Sequence, residues 1–283
     1  MLISIITINY NNLIGLRRTV ASVKAQIYKD FEYIIIDGSS TDGSREFIEE
    51  QSGIDQWVSE PDKGVYEAMN KGIQRAHGDY CLFLNSGDIL FSPDTLEQVV
   101  GQLGDCDIYT GVVTFLDGVK TYSHMPPEKL TFDFLLTKFL SHPATFNRTE
   151  WLRKHPYRED YRIVSDWELY LRACLEDCSY APLPNTMISI FVCDGLSAKH
   201  AKQIQIERKK VLDEMISNMP EGPKRHEWET KTARYYSHLR TDASRNTQQL
   251  AEKLERAMKL SPIKRDLKIL RNAAKCLLRD IFA

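Results

Sequence analysis

The sequence predicts an α/β fold: a mixed, mainly parallel sheet flanked by helices, with a C-terminal helical extension. Three observations predict it. Apolar, β-branched runs alternate at short intervals with segments of helical periodicity. Two runs stay apolar without alternation, as strands buried on both faces do, before they open into acidic turns. The composition then changes near residue 200, beyond which Pro and Gly cluster only at 220–223 and Lys, Arg, Glu, Gln and Leu dominate.

Residues 2–8 read as the first strand, ended by Asn9-Tyr10-Asn11-Asn12. Leu13, Leu16, Val20 and Val23 then recur at helical spacing up to Gln26. A strand at 31–36, a helix at 44–50 and a short strand at 56–59 follow. A helix is expected from Val65 to Ala76, with Val65, Met69 and Ile73 on one stripe and Gly78 just past its end. After a strand at 80–84, Ser92-Pro93-Asp94-Thr95-Leu96 starts a helix whose stripe is Leu96, Val99, Val100 and Leu103. Residues 108–115 read as a strand leading into a hairpin-like turn at 116–119, where the sheet becomes mixed. Residues 125–164 show no clear period, and another helix begins at Asp166.

With 283 residues and 42% apolar content, the chain can bury a sizeable core. No run approaches the ~18 apolar residues of a transmembrane helix. The apolar start lacks a basic leader and reads as a strand rather than a signal peptide, so a cytoplasmic location is expected. Of six scattered cysteines only Cys174 and Cys178 are close, on an expected helix. Without a second pair to complete a metal site, reduced structural thiols are expected. Residues 1–200 carry 18 Lys+Arg against 28 Asp+Glu and residues 201–283 carry 19 against 11, so a boundary is placed near 200.

The acidic turns carry the chemistry. Asp37-Gly38-Ser39-Ser40-Thr41-Asp42-Gly43-Ser44 and Asn85-Ser86-Gly87-Asp88 both emerge at carboxyl ends of strands, the edge where open α/β sheets bind ligands. Asp37 suits hydrogen bonds from ribose hydroxyls or a base imide; its other reading is a turn-forming Asp. Asp88 suits a hard divalent cation that takes its remaining ligands from substrate phosphates, or else caps the helix after Pro93. Around the helix start at 60–72, Asp62 can pair with a base and Lys63 and Lys71 can balance phosphate charge, or the segment is a solvated face. His142 and His200 are candidates for metal, phosphate or acceptor contact, or are hydrogen-bonding loop and core residues. Trp167 offers a flat face for a sugar ring or a core side chain.

Five motifs in order, spanning residues 2–200, resemble the family 2 glycosyltransferases. They are Ile-Ile-Thr-Ile-Asn-Tyr-Asn at 5–11, Asp37-Gly38-Ser39-Ser40-Thr41-Asp42-Gly43, Asp62-Lys63-Gly64 with Asn70-Lys71-Gly72, Leu84-Asn85-Ser86-Gly87-Asp88, and Ser165-Asp166-Trp167-Glu168-Leu169-Tyr170-Leu171-Arg172. The resemblance implies the GT-A (nucleotide-diphospho-sugar transferase, Rossmann-like) fold, with a catalytic domain at 1–200 and a helical extension at 201–283. It implies that Thr7, Asn9, Asp37 and Asp62 line the nucleoside pocket, with Tyr10, Ser39, Asn70, Lys71, Asn85, Ser86 and Gly87 adding nucleotide-sugar contacts. Asp88 would hold Mg2+ or Mn2+, with His142 a further candidate ligand, and Asp166 would be the general base. The family's commoner Asp-x-Asp is Asn85-Ser86-Gly87 here, which leaves Asp88 as the only carboxylate on that turn. Likewise Ser165-Asp166 replaces Glu-Asp.

The implied activity is metal-dependent, inverting transfer of a sugar from a nucleotide diphosphate donor, a UDP-sugar, to a hydroxyl of a glycan or lipid-linked acceptor of bacterial surface polysaccharide (lipopolysaccharide or capsule). A non-catalytic nucleotide-sugar binder is the alternative. A sugar nucleotidyltransferase is the weaker rival, because the first strand is followed by Asn9-Tyr10-Asn11-Asn12 rather than a Gly-rich phosphate loop. No nucleic-acid partner is expected. Residues 261–283 set an apolar stripe among six Lys+Arg, a pattern suited to the anionic inner face of the cell membrane, to docking on the acidic domain, or to a homodimer.

Overall fold

The computed structural model describes residues 1–193 and 200–239. Its chain divides into two compact units, Met1–Asn218 and Met219–Ala283. In the second, residues 223–239 are helical, and Arg225 pairs with Glu221 and Glu229 at 2.9 Å each. The basic stripe at 261–283 lies outside the described residues.

The first unit is built on a nine-stranded sheet among the described residues. Its parallel half comprises β1 (Ile3–Asn9), β2 (Phe31–Asp37), β3 (Gln56–Ser59) and β4 (Tyr80–Phe83), in the order β3-β2-β1-β4. All of β1 is buried, as its unbroken apolar run requires. Alternating side chains serve the two faces. Ile3, Ile5, Tyr33 and Ile35 share one core with Leu16, Val20 and Val23 of α1 (Leu13–Lys24). On the other face, Gly72 of α3 (Val65–Arg75) sits so near Ile6 that an added Cβ would come within 2.5 Å of it. The expected helix at 44–50 is α2 (Ser44–Glu49), and α4 is Thr95–Val100.

The remaining strands make the sheet mixed. β8 (Thr145–Arg148) runs antiparallel between β4 and β6 (Ile108–Asp117), and β9 (Tyr180–Val192) runs parallel to β6 on its other edge. β5 (Ile89–Leu90) closes the order against β9. Where β8 stops, β7 (Lys120–His124) continues along the same edge of β6 as the hairpin expected at 116–119; Gly118 turns it with φ +59°. The irregular stretch 125–164 resolves into α5 (Phe132–Thr137), a 3₁₀ turn at His142–Ala144, β8 and α6 (Thr149–Lys154).

Next comes α7 (Ser165–Leu175), which ends before Cys178, so Cys174 and Cys178 do not share one helix face; neither forms a disulfide among the described residues. The first compact unit runs past the compositional boundary at 200 and takes in α8 (Ala201–Asn218). The reason is specific. Glu207 of α8 is buried and accepts from the backbone N–H groups of Arg162 and Ile163, at 3.2 and 2.9 Å. Glu214 accepts from Tyr161 Oη at 2.8 Å and Arg158 Nη1 at 3.0 Å. Two acids of α8 therefore hold the loop that delivers the chain into α7.

Candidate active site

The strand register sets a polar row across the carboxyl edge. Asn9, Asp37 and Ser59 are partners on β1, β2 and β3. Asn9 Nδ2 donates to Asp37 Oδ1 at 2.7 Å and Ser59 Oγ to Asp37 Oδ2 at 2.6 Å, while the Ser40 N–H and hydroxyl take the remaining positions at 2.9 and 2.6 Å. Asp37 is wholly buried, with both oxygens engaged. It is a strut beneath the loop rather than a wall of the cavity. Thr7, bonded to Tyr33 Oη at 3.0 Å, and Asn9, which also receives Ser86 Oγ at 2.7 Å, are buried in the same layer. Of the four residues expected at the nucleoside pocket, these three lie outside the lining of the cavity described next, whereas Asp62 is part of it.

Above this layer lies a cavity of about 1390 Å³. Its lining includes Tyr10, Asn12, Gly38, Ser39, Asp62, Lys63 and Asn85 to Asp88. At Gly38 an added Cβ would lie 2.6 Å from Asp62 Oδ2, so a larger residue there would have to displace that carboxylate. Burial lifts the Asp62 carboxyl above its ordinary value, against the Gly64 N–H that donates to it at 3.0 Å. Asn12, not singled out in the sequence, caps α1 by accepting from the Gly15 N–H and donates Nδ2 to the Ser86 carbonyl at 2.8 Å, joining the first loop to the Asp88 turn. Asn70 and Lys71 are not in the wall. Asn70 ties α3 to the Tyr157 backbone, and Lys71 is held by Glu60 at 2.9 Å, Glu67 at 3.5 Å and the Pro61 carbonyl, so its charge is already matched. His200 is also outside the lining.

The lining also includes Phe139, Ser141, His142, Asp166, Trp167 and, from α8, Arg208. Asp166 sits in the first turn of α7, where a carboxylate is favoured by the helix dipole. Its Oδ1 accepts from the Trp167 N–H at 2.8 Å and, at 3.1 Å, from the Tyr66 hydroxyl, which shares its one proton with the Ile163 carbonyl at 2.6 Å; Oδ2 faces His142 Nδ1 at 3.6 Å. The other ring nitrogen, Nε2, lies 3.7 Å from Asp88 Oδ2. His142 thus spans the floor between the two turns. Burial works against its charge, but the flanking Asp166 and Asp88 carboxylates outweigh that and raise its pKa to about 9. Asn85 Nδ2 is 3.2 Å from Nε2, and Asn85 Oδ1 is buried without a hydrogen-bond partner among the described residues. Turning that amide over lets the charged imidazole donate to Oδ1.

Asp88 does not cap the following helix; Asp94 occupies that position, and Asp88 is buried with Oδ2 receiving the Asn85 N–H at 3.2 Å. Among the described residues no group of three or more His, Cys, Asp or Glu could hold a metal ion. Asp88 offers one carboxylate, a partial donor set that fits a cation drawing its other ligands from a diphosphate, and the imidazole of His142 could add to it only in its neutral form. Trp167 is a core residue: it is 3% exposed, its Nε1 donates to the Leu135 carbonyl at 2.7 Å, and the Arg208 guanidinium lies 4.7 Å from its ring centroid.

Residues 4–158, more than half of the chain, match the model of Glycosyl transferase family 2. The chain belongs to glycosyl transferase family 2. A relative from Mycobacterium tuberculosis (strain CDC 1551 / Oshkosh), the uncharacterized glycosyltransferase MT1564, is 37% identical over 182 residues, which is 61% of this chain and 69% of that one. In fold, the chain is similar to S. aureus TarS 1–349 solved with UDP-GlcNAc: TM-score 0.65, 17% identity, 83% of this chain and 72% of that chain. A mannosyltransferase, PcManGT from Pyrobaculum calidifontis, solved with GDP-Man and Mn2+, gives a TM-score of 0.60 at 15% identity over 99% of this chain and 85% of that chain. The GT-A fold expected from the sequence is therefore the fold of this family 2 glycosyltransferase. Membership carries with it glycosyl transfer from a nucleotide-sugar donor. No described helix is long and apolar enough to cross a membrane.

Proposed function

We propose that this family 2 glycosyltransferase transfers a sugar, with inversion, from a nucleoside diphosphate donor, a UDP-sugar, to a hydroxyl of a glycan or lipid-linked oligosaccharide acceptor in surface polysaccharide synthesis. The observation that carries the reading is the line Asp88, His142, Asp166 across the cavity floor, with separations of 3.7 and 3.6 Å. It supports a division of labour. The nucleotide occupies the side walled by Tyr10, Gly38, Ser39, Asp62 and Lys63, and the acceptor occupies the side walled by Phe139 and Asp166.

Asp166 is the general base in this reading. Tyr66 and the Trp167 N–H fix Oδ1, so Oδ2 is the oxygen that takes the acceptor hydroxyl's proton as that hydroxyl attacks the anomeric carbon. The side chain is about one quarter exposed, enough to meet a substrate without being solvated away from it. His142 orients both carboxylates and places positive charge under the breaking bond. Asp88 would hold Mg2+ or Mn2+, which would supply Lewis-acid stabilisation of the departing diphosphate, and His142 would join it as a ligand only after giving up its Nε2 proton. We assign catalysis to the unit ending at Asn218 and surface attachment to the basic residues of 261–283.

A screen of UDP- and GDP-sugars by calorimetry, with Mn2+ or with chelator, tests this. One donor should bind with metal-strengthened affinity and be turned over in the presence of acceptor. Binding without transfer or donor hydrolysis would instead favour a non-catalytic binder, and no binding by any nucleotide sugar would overturn the reading.

A further inference from the structure

A continuous run of aromatic rings leads from the hairpin of β6 and β7 to the candidate base. Phe115 is its hub. Only 5% exposed, it stacks on Tyr122 with centroids 5.1 Å apart and lies 4.6 Å from His124, 5.3 Å from Phe191 and 6.2 Å from Phe139, the last edge to face. Phe191 in turn meets the His142 ring edge-on at 6.3 Å, and His142 is the neighbour of Asp166. Phe139 is 38% exposed, and it and Phe191 both line the cavity. Phe115 lines the cavity with them and contacts both rings. At about 1390 Å³ the cavity also exceeds the roughly 300–1,000 Å³ of a single-ligand pocket, leaving room for an acceptor beside the donor.

We propose that Phe139 and Phe191 form the platform on which the acceptor's pyranose ring stacks, its hydroxyl edge turned toward Asp166. The proposal rests on the transferase reading above and names the acceptor's chemistry at that site. A pyranose has an apolar C–H face bordered by hydroxyls, so it needs a flat apolar surface edged by hydrogen-bonding groups. Ser141, His142 and Asp166 provide that edge. Trp167, the residue whose sequence position suggested a sugar platform, is already covered by Arg208. A lipid chain needs only apolar volume, which leucine would supply as well as phenylalanine.

That difference gives the test. Methyl pyranosides of glucose, galactose, mannose and N-acetylglucosamine, and decanoate as the lipid probe, are titrated onto the full chain by saturation-transfer NMR in the presence of UDP or GDP. At least one pyranoside should receive saturation chiefly at its ring C–H protons. Phe139→Leu and Phe191→Leu should each weaken it about fivefold, with nucleotide affinity within twofold of the parent as proof of folding. Unchanged pyranoside affinity in both variants overturns the platform, as does decanoate displacing the pyranoside with equal strength in parent and variants. Nucleotide binding without any pyranoside binding overturns the platform while leaving the transferase reading intact. Failure of the parent to bind either nucleotide overturns that reading instead.

Discussion

His142 Nδ1 stands 3.6 Å from Asp166 Oδ2, although the two residues come from a 3₁₀ turn and from a helix that begins twenty-odd residues later. The same imidazole reaches Asp88 at 3.7 Å. A part-buried imidazolium between two carboxylates ties the Asp88 turn to the start of α7.

Stability should therefore depend on pH through His142. Its pKa is about 6.5 in an unfolded chain and about 9 when folded. The folded state holds the proton more tightly, so the stabilisation is complete below about pH 6.5 and is lost as pH rises through 9. On the order of 3 kcal/mol is at stake. Urea midpoints of the metal-free protein at pH 6 and pH 9.5 should differ more in the parent than in His142→Gln; equal differences would remove this linkage.

Asp88→Ala removes the only carboxylate on its turn. Donor affinity should fall when Mn2+ is present and respond less to chelator. Calorimetry decides, and a metal response equal to the parent's would move the cation site elsewhere.

Glu207→Ala tests the bracing of the active-site loop by α8. The backbone N–H groups of Arg162 and Ile163 would lose their acceptor, at a cost of about 1–3 kcal/mol. The thermal midpoint should drop by several degrees, with Glu207→Gln recovering part of it. An unchanged midpoint would mean that α8 does not hold the loop.

Much of this was legible in the sequence, and for identifiable reasons. β1, β2 and β4 announce themselves because buried parallel strands have no polar face to alternate, and the motifs that mark family membership sit at their carboxyl ends. β9 was hidden by Pro182 and Pro184 and by the register shift opposite Gly111 to Val113, which together break any strand pattern. Asp37 was visible as an acid at a strand end. Its burial was not, because its partners Asn9 and Ser59 come from β1 and β3, and only the register brings them together. The bond from Tyr66 to Asp166 spans 100 residues and leaves no local signal at all. The compositional break at 200 was real, yet α8 lies beyond it and still belongs to the first unit, because two buried or part-buried acids fasten it there.

In the proposed mechanism Asp166 takes the acceptor's proton. Single-turnover transfer and donor affinity measured on Asp166→Asn test it most directly. A general base contributes roughly 10²–10⁴-fold, so the rate should fall by that factor while donor affinity stays within about threefold, since Asn keeps the shape of the side chain. Turnover within a few-fold of the parent would contradict the account.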